Sequence, residues 1–558
     1  MAYEDILTAV DAVRLMDSVR AICTGERLSN EAEVRSFDVL EKLFTDAGCR
    51  VTREALPGYV STPEGAAFEA GGIAYEVLTH PMTPSADGLE ADLVYVPVDR
   101  TGSASAEEVS GRIVLTDGLA MEPVVRALED RGAAGVVFIT GEEIHNMIVS
   151  RVWGSPTPET LHEYVGIPVA SLSFGDGSRL RARLLSEAGG TLPARLSTRV
   201  ESRWTEIPVI TAEIRGADED FVMVTGHVDS WGLGALDNAS GNACAVELAR
   251  ILAPLASDMR RSVRFVLWSG HSHGRYAGST AWCDAHFEEL ERHCLLNVNS
   301  DCLGGRGATV MTESPAMAST RGLARTALRE AAGVTDWRGC RFSRSCDQSF
   351  WGAGVPSIFS QVSEQPPFEG AAADAFGKMF GSGRTGGFGA WWHTRTDTPD
   401  KLDPENLARD VRVFASVLAH ALFDERLPVD AAAEVLELRD ELKTWQEKAG
   451  DSLDLSEVLA RLDLLAEALE ATARSDDPKR FEKRSRRVLS EIIPLAYVEG
   501  SVYSHDEALR APPVPMLRLI DELASLSEHE RNAALVSLRR AVNRLKASTA
   551  RALEAARA

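Results

Sequence analysis

An apolar run at residues 221–225 ends in Gly226 and His227, and it continues through a glycine-containing loop to Asp237 and an alanine-rich stretch typical of a helix. A strand that feeds a helix in this way is typical of an α/β sheet. Functional sites in such sheets form where strands end and helices begin. The sequence therefore predicts an α/β domain with a site at one edge of its sheet.

Three further segments repeat this design of an apolar run followed by polar residues. "VRFVLW" leads to His271 and His273, "CLLNVN" leads to Asp301, and "AWWHTRTD" places His393 before an acidic loop. Histidine and carboxylate side chains suit zinc and similar divalent metals. Two metals that share one aspartate would activate a water molecule and polarise a carbonyl group. These residues therefore predict a metal site.

The residues around His227 allow two interpretations. His227 and Asp229 are two positions apart, so on an extended backbone they project to the same side, and the carboxylate can orient the imidazole. Asp237 precedes the helix, where a carboxylate can bridge two cations. The alternative is that Asp237, Asn238 and Ser240 are only turn and helix-capping residues. Capping, however, does not explain a histidine at the end of the preceding strand.

Composition limits the class of protein. The chain has 558 residues, which exceeds what one hydrophobic core usually organises, so we expect two or three domains. Its formal net charge of −24 argues against nucleic acid or an anionic membrane as a partner. The first residues contain acids and no signal-type apolar region, and no apolar run approaches the length of a membrane span. Eight scattered cysteines without a C-x-x-C pair favour free thiols, and we expect a cytoplasmic protein.

Longer quoted motifs resemble one known family. "GHVDSWGLGALDNASG", "NVNSDCLGG" and "WWHTRTDTPDKLDPENL" resemble the co-catalytic zinc aminopeptidase family. The length of the chain narrows the resemblance toward the branch that includes glutamate carboxypeptidase and the transferrin receptor. In that branch a protease-associated domain interrupts the catalytic domain, and a helical domain follows. "EVSGRIVLTDG", "RGAAGVVFI" and "GIPVASLS" are similar to the insert, and long helical patterns follow residue 425.

The resemblance implies a fold and a domain organisation. The fold class is α/β, with an aminopeptidase-like mixed-sheet α/β/α catalytic domain. That domain is expected to be discontinuous, over residues 1–59 and 203–425. A β-rich protease-associated domain is expected over residues 60–202, and a helical domain of the dimerisation type over residues 426–558. A homodimer is therefore expected, although these helices can equally pack within one chain.

The resemblance also assigns roles to individual residues. It makes His227 and Asp301 ligands of one metal, His393 a ligand of the second, and Asp237 the bridge between the two metals. Asp229 becomes the residue that orients the imidazole. The implied cofactor is a divalent metal, zinc above all, with one or two ions per chain.

The stretch "WSGHSHGRYAGSTAW" departs from the family because it lacks two adjacent glutamates. By register, His271 takes the position of the general base and Ser272 that of a ligand to the second metal. A neutral imidazole can act as a base near pH 7. Alternatively, His271 or His273 coordinates the second metal, or only the first metal remains. A further possibility is an inactive site.

The predicted function is metal-dependent hydrolysis of an amide or peptide-like bond in a small substrate. A non-peptidase enzyme such as a lyase, or a noncatalytic binding or scaffold protein, is the alternative. Four residues are candidates for substrate binding, with turn or packing roles as alternatives: Asp347, Gln348, Arg275 and Tyr276. The glycine-rich segment 368–392 permits either a lid over the site or simple flexibility.

Overall fold

A computed structural model describes residues 3–380, 387–475, 477–508 and 511–558. The strands are β1 Arg50–Ala70, β2 Ile73–Tyr75, β3 Leu78–Thr79, β4 Ala86–Tyr95, β5 Ile113–Asp117, β6 Gly135–Ile139, β7 Val169–Leu172, β8 Leu192–Ile214, β9 Phe221–His227, β10 Ser262–Trp268, β11 Cys294–Asn299 and β12 Ser357–Ile358. The helices are α1 Tyr3–Thr8, α2 Ala12–Ile22, α3 Glu31–Asp46, α4 Ala106–Val109, α5 Glu122–Glu129, α6 Phe174–Ser186, α7 Ser240–Leu252, α8 Ala277–Ala285, α9 Phe287–His293, α10 Arg321–Ala332, α11 Ala371–Phe380, α12 Pro404–Phe423, α13 Ala431–Ala449, α14 Ser456–Ser475, α15 Pro478–Tyr497 and α16 Glu528–Arg557.

The strands form one mixed sheet, in which β12, β11, β9, β10, β8, β4, β5, β6, β7 and β3 are neighbours in that order. At its centre β9 runs parallel to both β10 and β11. All three strands are almost fully buried, which explains their apolar sequences, because parallel strands are covered on both faces. Their carboxyl ends therefore meet at one edge of the sheet. The predicted α/β class is confirmed.

Two long strands connect the central strands to the β-type region. β1 and β8 pair antiparallel from Arg50 opposite Glu213 to Ala70 opposite Ala194, with one register shift between Pro63 and Gly65. β8 also pairs with β10 on the central side and with β4 on the other. Both strands cross the predicted boundaries at residues 59 and 203. The sheet is therefore continuous across them, and the division into domains stays a prediction.

Helices cover the sheet and make up the last part of the chain. α12 begins after Asp403, whose carboxylate accepts the N–H groups of Glu405 and Asn406, and it is buried along most of its length. Beyond it, α13, α14, α15 and α16 pack against one another through leucine, isoleucine and valine side chains. Among the described residues, no helix is both long enough and apolar enough to cross a membrane.

Candidate metal centre

The parallel strands bring four of the predicted ligands together. His227 ends β9 and Asp301 follows β11, while Asp237 lies in the loop after β9. The Nε2 atom of His227 lies 3.0 Å from Oδ1 of Asp237 and 3.6 Å from Oδ1 of Asp301. On the other side, Nε2 of His393 lies 3.1 Å from Oδ2 of Asp237. Asp237 therefore presents one oxygen to each histidine, as a bridging carboxylate does.

The other ring nitrogen of each histidine has a backbone partner. Nδ1 of His227 donates to the carbonyl of Asp229 at 2.9 Å, and Nδ1 of His393 donates to the carbonyl of Asn146 at 2.8 Å. In a neutral imidazole the remaining Nε2 atom is then an acceptor. Each Nε2 faces a carboxylate oxygen, which is also an acceptor. A cation between these atoms would satisfy all of them.

Unsatisfied buried atoms support the same interpretation. Nε2 of His227, Oδ1 of Asp237 and Oδ1 of Asp301 are buried and have no hydrogen-bond partner in the described chain. Buried polar atoms without partners are costly, and native proteins rarely keep them without a reason. These three atoms are of the types that bind metals, and they lie close together, so they are suited to hold a divalent cation.

The charges at the site shift the pKa values of His227 and Asp237. Burial lowers the pKa of His227, but the adjacent carboxylates of Asp237 and Asp301 outweigh burial and hold that pKa well above its usual value. Burial raises the pKa of Asp237, yet His227 and His393 together hold it well below its usual range. The lowered pKa of Asp237 keeps its carboxylate ionised, as a metal ligand must be.

The interpretation as turn and capping residues applies to two neighbours of Asp237. The side-chain oxygen of Asn238 accepts the N–H of Gly241, and Ser240 donates its hydroxyl to the carbonyl of Leu236. The carboxylate of Asp237 makes neither contact and points to the histidines. Two of the three residues therefore stabilise the turn before α7, and Asp237 is left for the site.

The carboxylate of Asp229 has different partners from those expected. It accepts the backbone N–H groups of His271 and Ser272, at 3.1 and 2.6 Å, and the Nδ1–H of His273 at 3.1 Å. The Nδ1–H of His227 donates to the backbone carbonyl of Asp229. Oδ1 of the Asp229 carboxylate lies 3.8 Å from the same nitrogen, and the orienting role of this carboxylate stays a prediction. The hydrogen bonds of this carboxylate orient the altered loop.

His271 lies directly against the predicted ligands. Its ring stacks on that of His227, with 3.8 Å between the centroids and 14° between the planes. Its Nδ1 atom lies 2.6 Å from Oδ2 of Asp347. One ligand atom from each of His227, His271 and Asp301 falls within 4.8 Å of the others. From this position His271 can act either as a general base or as a metal ligand.

The His393 side of the site has fewer donors. Ser272 is buried, and its backbone N–H is bound to Asp229. Among the residues that the structure describes, no group of three possible ligands includes both His393 and Asp237. The His227 side, in contrast, has His227, Asp237 and Asp301, with His271 beside them. The two halves of the site are therefore unequal.

Of the remaining predicted residues, Tyr276 contacts His271. Tyr276 is buried, packs on Trp153 with 4.0 Å between ring centroids, and lies perpendicular to the ring of His271. Arg275 lies over the Tyr276 ring, and its Nε atom is buried without a hydrogen-bond partner in the described chain. Gln348 is buried, with a long 3.5 Å contact to the carbonyl of Cys346. Residues 381–386 of the glycine-rich segment lie outside the described residues.

Sequence reasoning missed two residues that support the ligand loop. Asp397 is buried and accepts the N–H groups of Leu236 and Asp237, at 2.8 and 3.0 Å. Burial raises its pKa to about 7, and the nearby charge of Asp237 adds to this increase. Its position four residues after His393, in the same motif, was an available signal.

Arg27 is the second missed residue, and it is fully buried. It donates from Nε to the carbonyl of Val228 and from Nη1 to that of Leu233, at 2.6 and 2.7 Å. These bonds stabilise the loop between β9 and Asp237. Because Arg27 lies 200 positions earlier in the chain, no local pattern indicated the contact.

Residues 209–418, the region that supplies His227, Asp237, Asp301 and His393, match the model of Peptidase family M28. The resemblance to the co-catalytic zinc aminopeptidase family is confirmed. Residues 209–418 are called the M28 region below. The chain is 23% identical to Aminopeptidase YwaD of Bacillus subtilis over 411 residues, which cover 72% of this chain and 78% of that protein.

Other similarities concern part of the chain or the fold alone. A Glutamate carboxypeptidase 2 homolog of Caenorhabditis elegans is 24% identical over 266 residues, and the match spans about a third of its length, 32%, and 43% of this chain. The aminopeptidase from Aneurinibacillus sp. strain AM-1 superposes with a TM-score of 0.55 at 20% identity, covering 77% of this chain and 98% of that one. BSAP, a zinc aminopeptidase from Bacillus subtilis, has a TM-score of 0.55 at 17% identity, with 75% and 98% covered.

Proposed function

We propose that this protein is a metal-dependent hydrolase that cleaves a peptide or amide bond in a small, peptide-like substrate. The observation that carries the proposal is the position of Asp237, whose two carboxylate oxygens face the Nε2 atoms of His227 and His393. The M28 region and a relative named as an aminopeptidase support hydrolysis of peptide bonds.

One divalent metal, zinc, is assigned to the His227 side of the site. His227, Asp237 and Asp301 would hold it, since their orphaned atoms converge there. A zinc ion with three protein ligands and an open position polarises a carbonyl group and lowers the pKa of a water molecule. Similar solved structures include a zinc aminopeptidase, which supports the choice of metal.

The unequal halves of the site favour a single firmly held ion. Among the described residues, the ligands available on the His393 side are His393 and Asp237, and Ser272 stands where the family has a carboxylate ligand. A serine hydroxyl is a poor substitute for a carboxylate as a zinc ligand. His393 and Asp237 would then hold a second ion only weakly.

His271 is assigned the role of proton acceptor. It occupies the position of the family's general base, and its ring lies against that of His227. With Nδ1 bound to Asp347, Nε2 is left to accept a proton from the attacking water molecule and to return it to the leaving amine. Arg275, with its unpartnered Nε atom, is the candidate to bind an anionic group of the substrate.

The test is metal content per chain, measured by plasma mass spectrometry on protein purified without chelators or a histidine tag. Wild type, His271→Ala and the control His162→Ala, at an exposed histidine, are compared. Each is also assayed on dipeptides and N-acyl amino acids. We expect about one metal in all three proteins, and loss of cleavage only in His271→Ala.

Other outcomes separate the alternatives. A fall from about two metals to about one in His271→Ala would make His271 a ligand and contradict the single-metal site. One metal without cleavage of any substrate in the panel would favour a non-peptidase enzyme such as a lyase, consistent with loss of both glutamates. No metal in any of the three proteins would leave the noncatalytic binding protein.

A further inference from the structure

Asp347 contacts the ring of His271 from a buried position. Its Oδ2 atom lies 2.6 Å from Nδ1 of His271, and the residue is 1% exposed. Its Oδ1 atom is buried and has no partner in the described part of the chain. The contact with His271 is therefore the one hydrogen bond that this carboxylate makes there.

The backbone that presents Asp347 is unusual. Cys346 and Asp347 have φ angles of 52° and 55°, in the left-handed region that residues with a Cβ atom seldom adopt. Such conformations persist where the surrounding structure imposes them, and they concentrate at functional sites. The left-handed turn at Cys346 and Asp347 places the Asp347 carboxylate beside the imidazole of His271.

The other surfaces of the His271 ring are also occupied. One face stacks on His227, and the Tyr276 ring packs perpendicular to the His271 ring with 4.8 Å between centroids. The backbone N–H of His271 is bound to the carboxylate of Asp229. The ring is thus fixed in place by packing, and the remaining variable is which nitrogen carries the proton.

We propose that Asp347 is a positioning residue that fixes His271 in the tautomer with hydrogen on Nδ1, so that Nε2 stays available as the acceptor. An ionised carboxylate accepts hydrogen bonds and donates none, so its partner nitrogen must carry a hydrogen. Carboxylates that bind a histidine in this way also make the other nitrogen a better base. The Asp347–His271 pair would therefore take the place of the single glutamate that serves as the base in the family. This assignment rests on the proposed role of His271, but its first readout does not require activity.

The first readout is the tautomer of His271 in metal-loaded protein labelled with ¹⁵N-histidine. The ring signals of His271 are those missing in His271→Gln. We expect hydrogen on Nδ1 in wild type and in Asp347→Glu, which keeps the charge. In Asp347→Asn, the amide can donate to Nδ1, so we expect a shift toward hydrogen on Nε2. Asp336→Asn, at an exposed aspartate, is the control and should leave the signals unchanged.

The second readout is a double-mutant cycle on peptide cleavage. Asp347→Asn should lower kcat by about 100-fold with little change in KM, and it should have no further effect in a His271→Ala background. An unchanged tautomer in Asp347→Asn, or an equal loss of activity in the His271→Ala background, would overturn the proposal. If wild type cleaves no peptide but the tautomer shifts as expected, the positioning role stands and the proposed hydrolase fails.

Discussion

The buried carboxylate of Asp397 accepts the backbone N–H of Asp237, with 3.0 Å between Oδ2 and N. Its other oxygen accepts the N–H of Leu236 at 2.8 Å. Asp397 touches none of the ligand atoms directly. It fixes the backbone that carries Asp237, and the position of the bridging carboxylate follows from it.

Replacing Asp397 should therefore weaken metal binding without unfolding the protein. In Asp397→Ala we expect zinc affinity to fall by about 10- to 100-fold, the range found for residues that orient metal ligands. Competition with a chelator measures the affinity, and circular dichroism checks the fold. Asp400→Asn, at an exposed aspartate of the same loop, is the matched control. Equal affinity in Asp397→Ala and wild type would show that the ligand loop needs no such support.

Restoring a carboxylate at position 272 should complete the weaker half of the site. In Ser272→Glu we expect the metal content to rise from about one to about two ions per chain at saturating zinc, because His393 and Asp237 gain a third ligand. Ser272→Gln adds the same volume without the charge and should stay at about one. If both variants hold the same number of ions, the missing glutamate does not limit binding of the second metal.

Arg275 should distinguish anionic from neutral substrates. Within the described chain its Nε atom has no hydrogen-bond partner, and the guanidinium lies over the ring of Tyr276, which packs against the proposed proton acceptor. Arg275→Gln should lower kcat/KM about tenfold or more for peptides that contain glutamate next to the cleaved bond, and far less for the matching glutamine peptides. Arg338→Gln removes a charge from the surface and is the control. A uniform loss on both peptide series would indicate that Arg275 only packs.

Glu441 on α13 should make stability depend on pH. Burial raises its pKa from 4.5 to about 8. Arg341 opposes this shift from 2.7 Å away, and other charged or titratable groups of the same cluster are Arg321, Glu434, Glu437 and Tyr497. Between pH 4.5 and 8 the folded protein keeps a proton that the unfolded chain releases. The free energy of unfolding therefore falls as pH rises through this window.

Glu441→Gln imitates the protonated residue and should remove this dependence. We expect its Tm to decrease less than that of wild type between pH 5 and pH 9, measured by scanning calorimetry. Glu447→Gln, at an exposed position of the same helix, should follow wild type. Parallel curves for Glu441→Gln and wild type would contradict the raised pKa.

The sequence predicted the α/β class and the segments that converge at the site because both depend on local patterns. An apolar run followed by His227 indicates a strand end, and parallel strands bring such ends together. The partners of Asp229 and Asp347 could not be predicted, since both carboxylates contact the loop after β10, which is distant from them in the chain. Arg27 and Asp397 bind backbone groups of the loop that carries Asp237. Every residue has these groups, so the side chains of the loop give no indication of the contacts.

Some predictions concern properties that the fold does not test. The homodimer, the domain boundaries and the cytoplasmic location stay predictions. The helices after residue 425 pack against one another, as the helical pattern indicated, but that packing is compatible with either a single chain or a pair of chains. Gel filtration with light scattering measures the oligomeric state directly.

The long pairing of β1 with β8 has a consequence for how this chain melts. The same two strands lie in the central sheet at one end and in the β-type region at the other, with a single register shift along the way. Neither part can lose its structure without breaking hydrogen bonds that the other shares. Heating should therefore unfold the region between β1 and β8 together with the M28 region in one cooperative step.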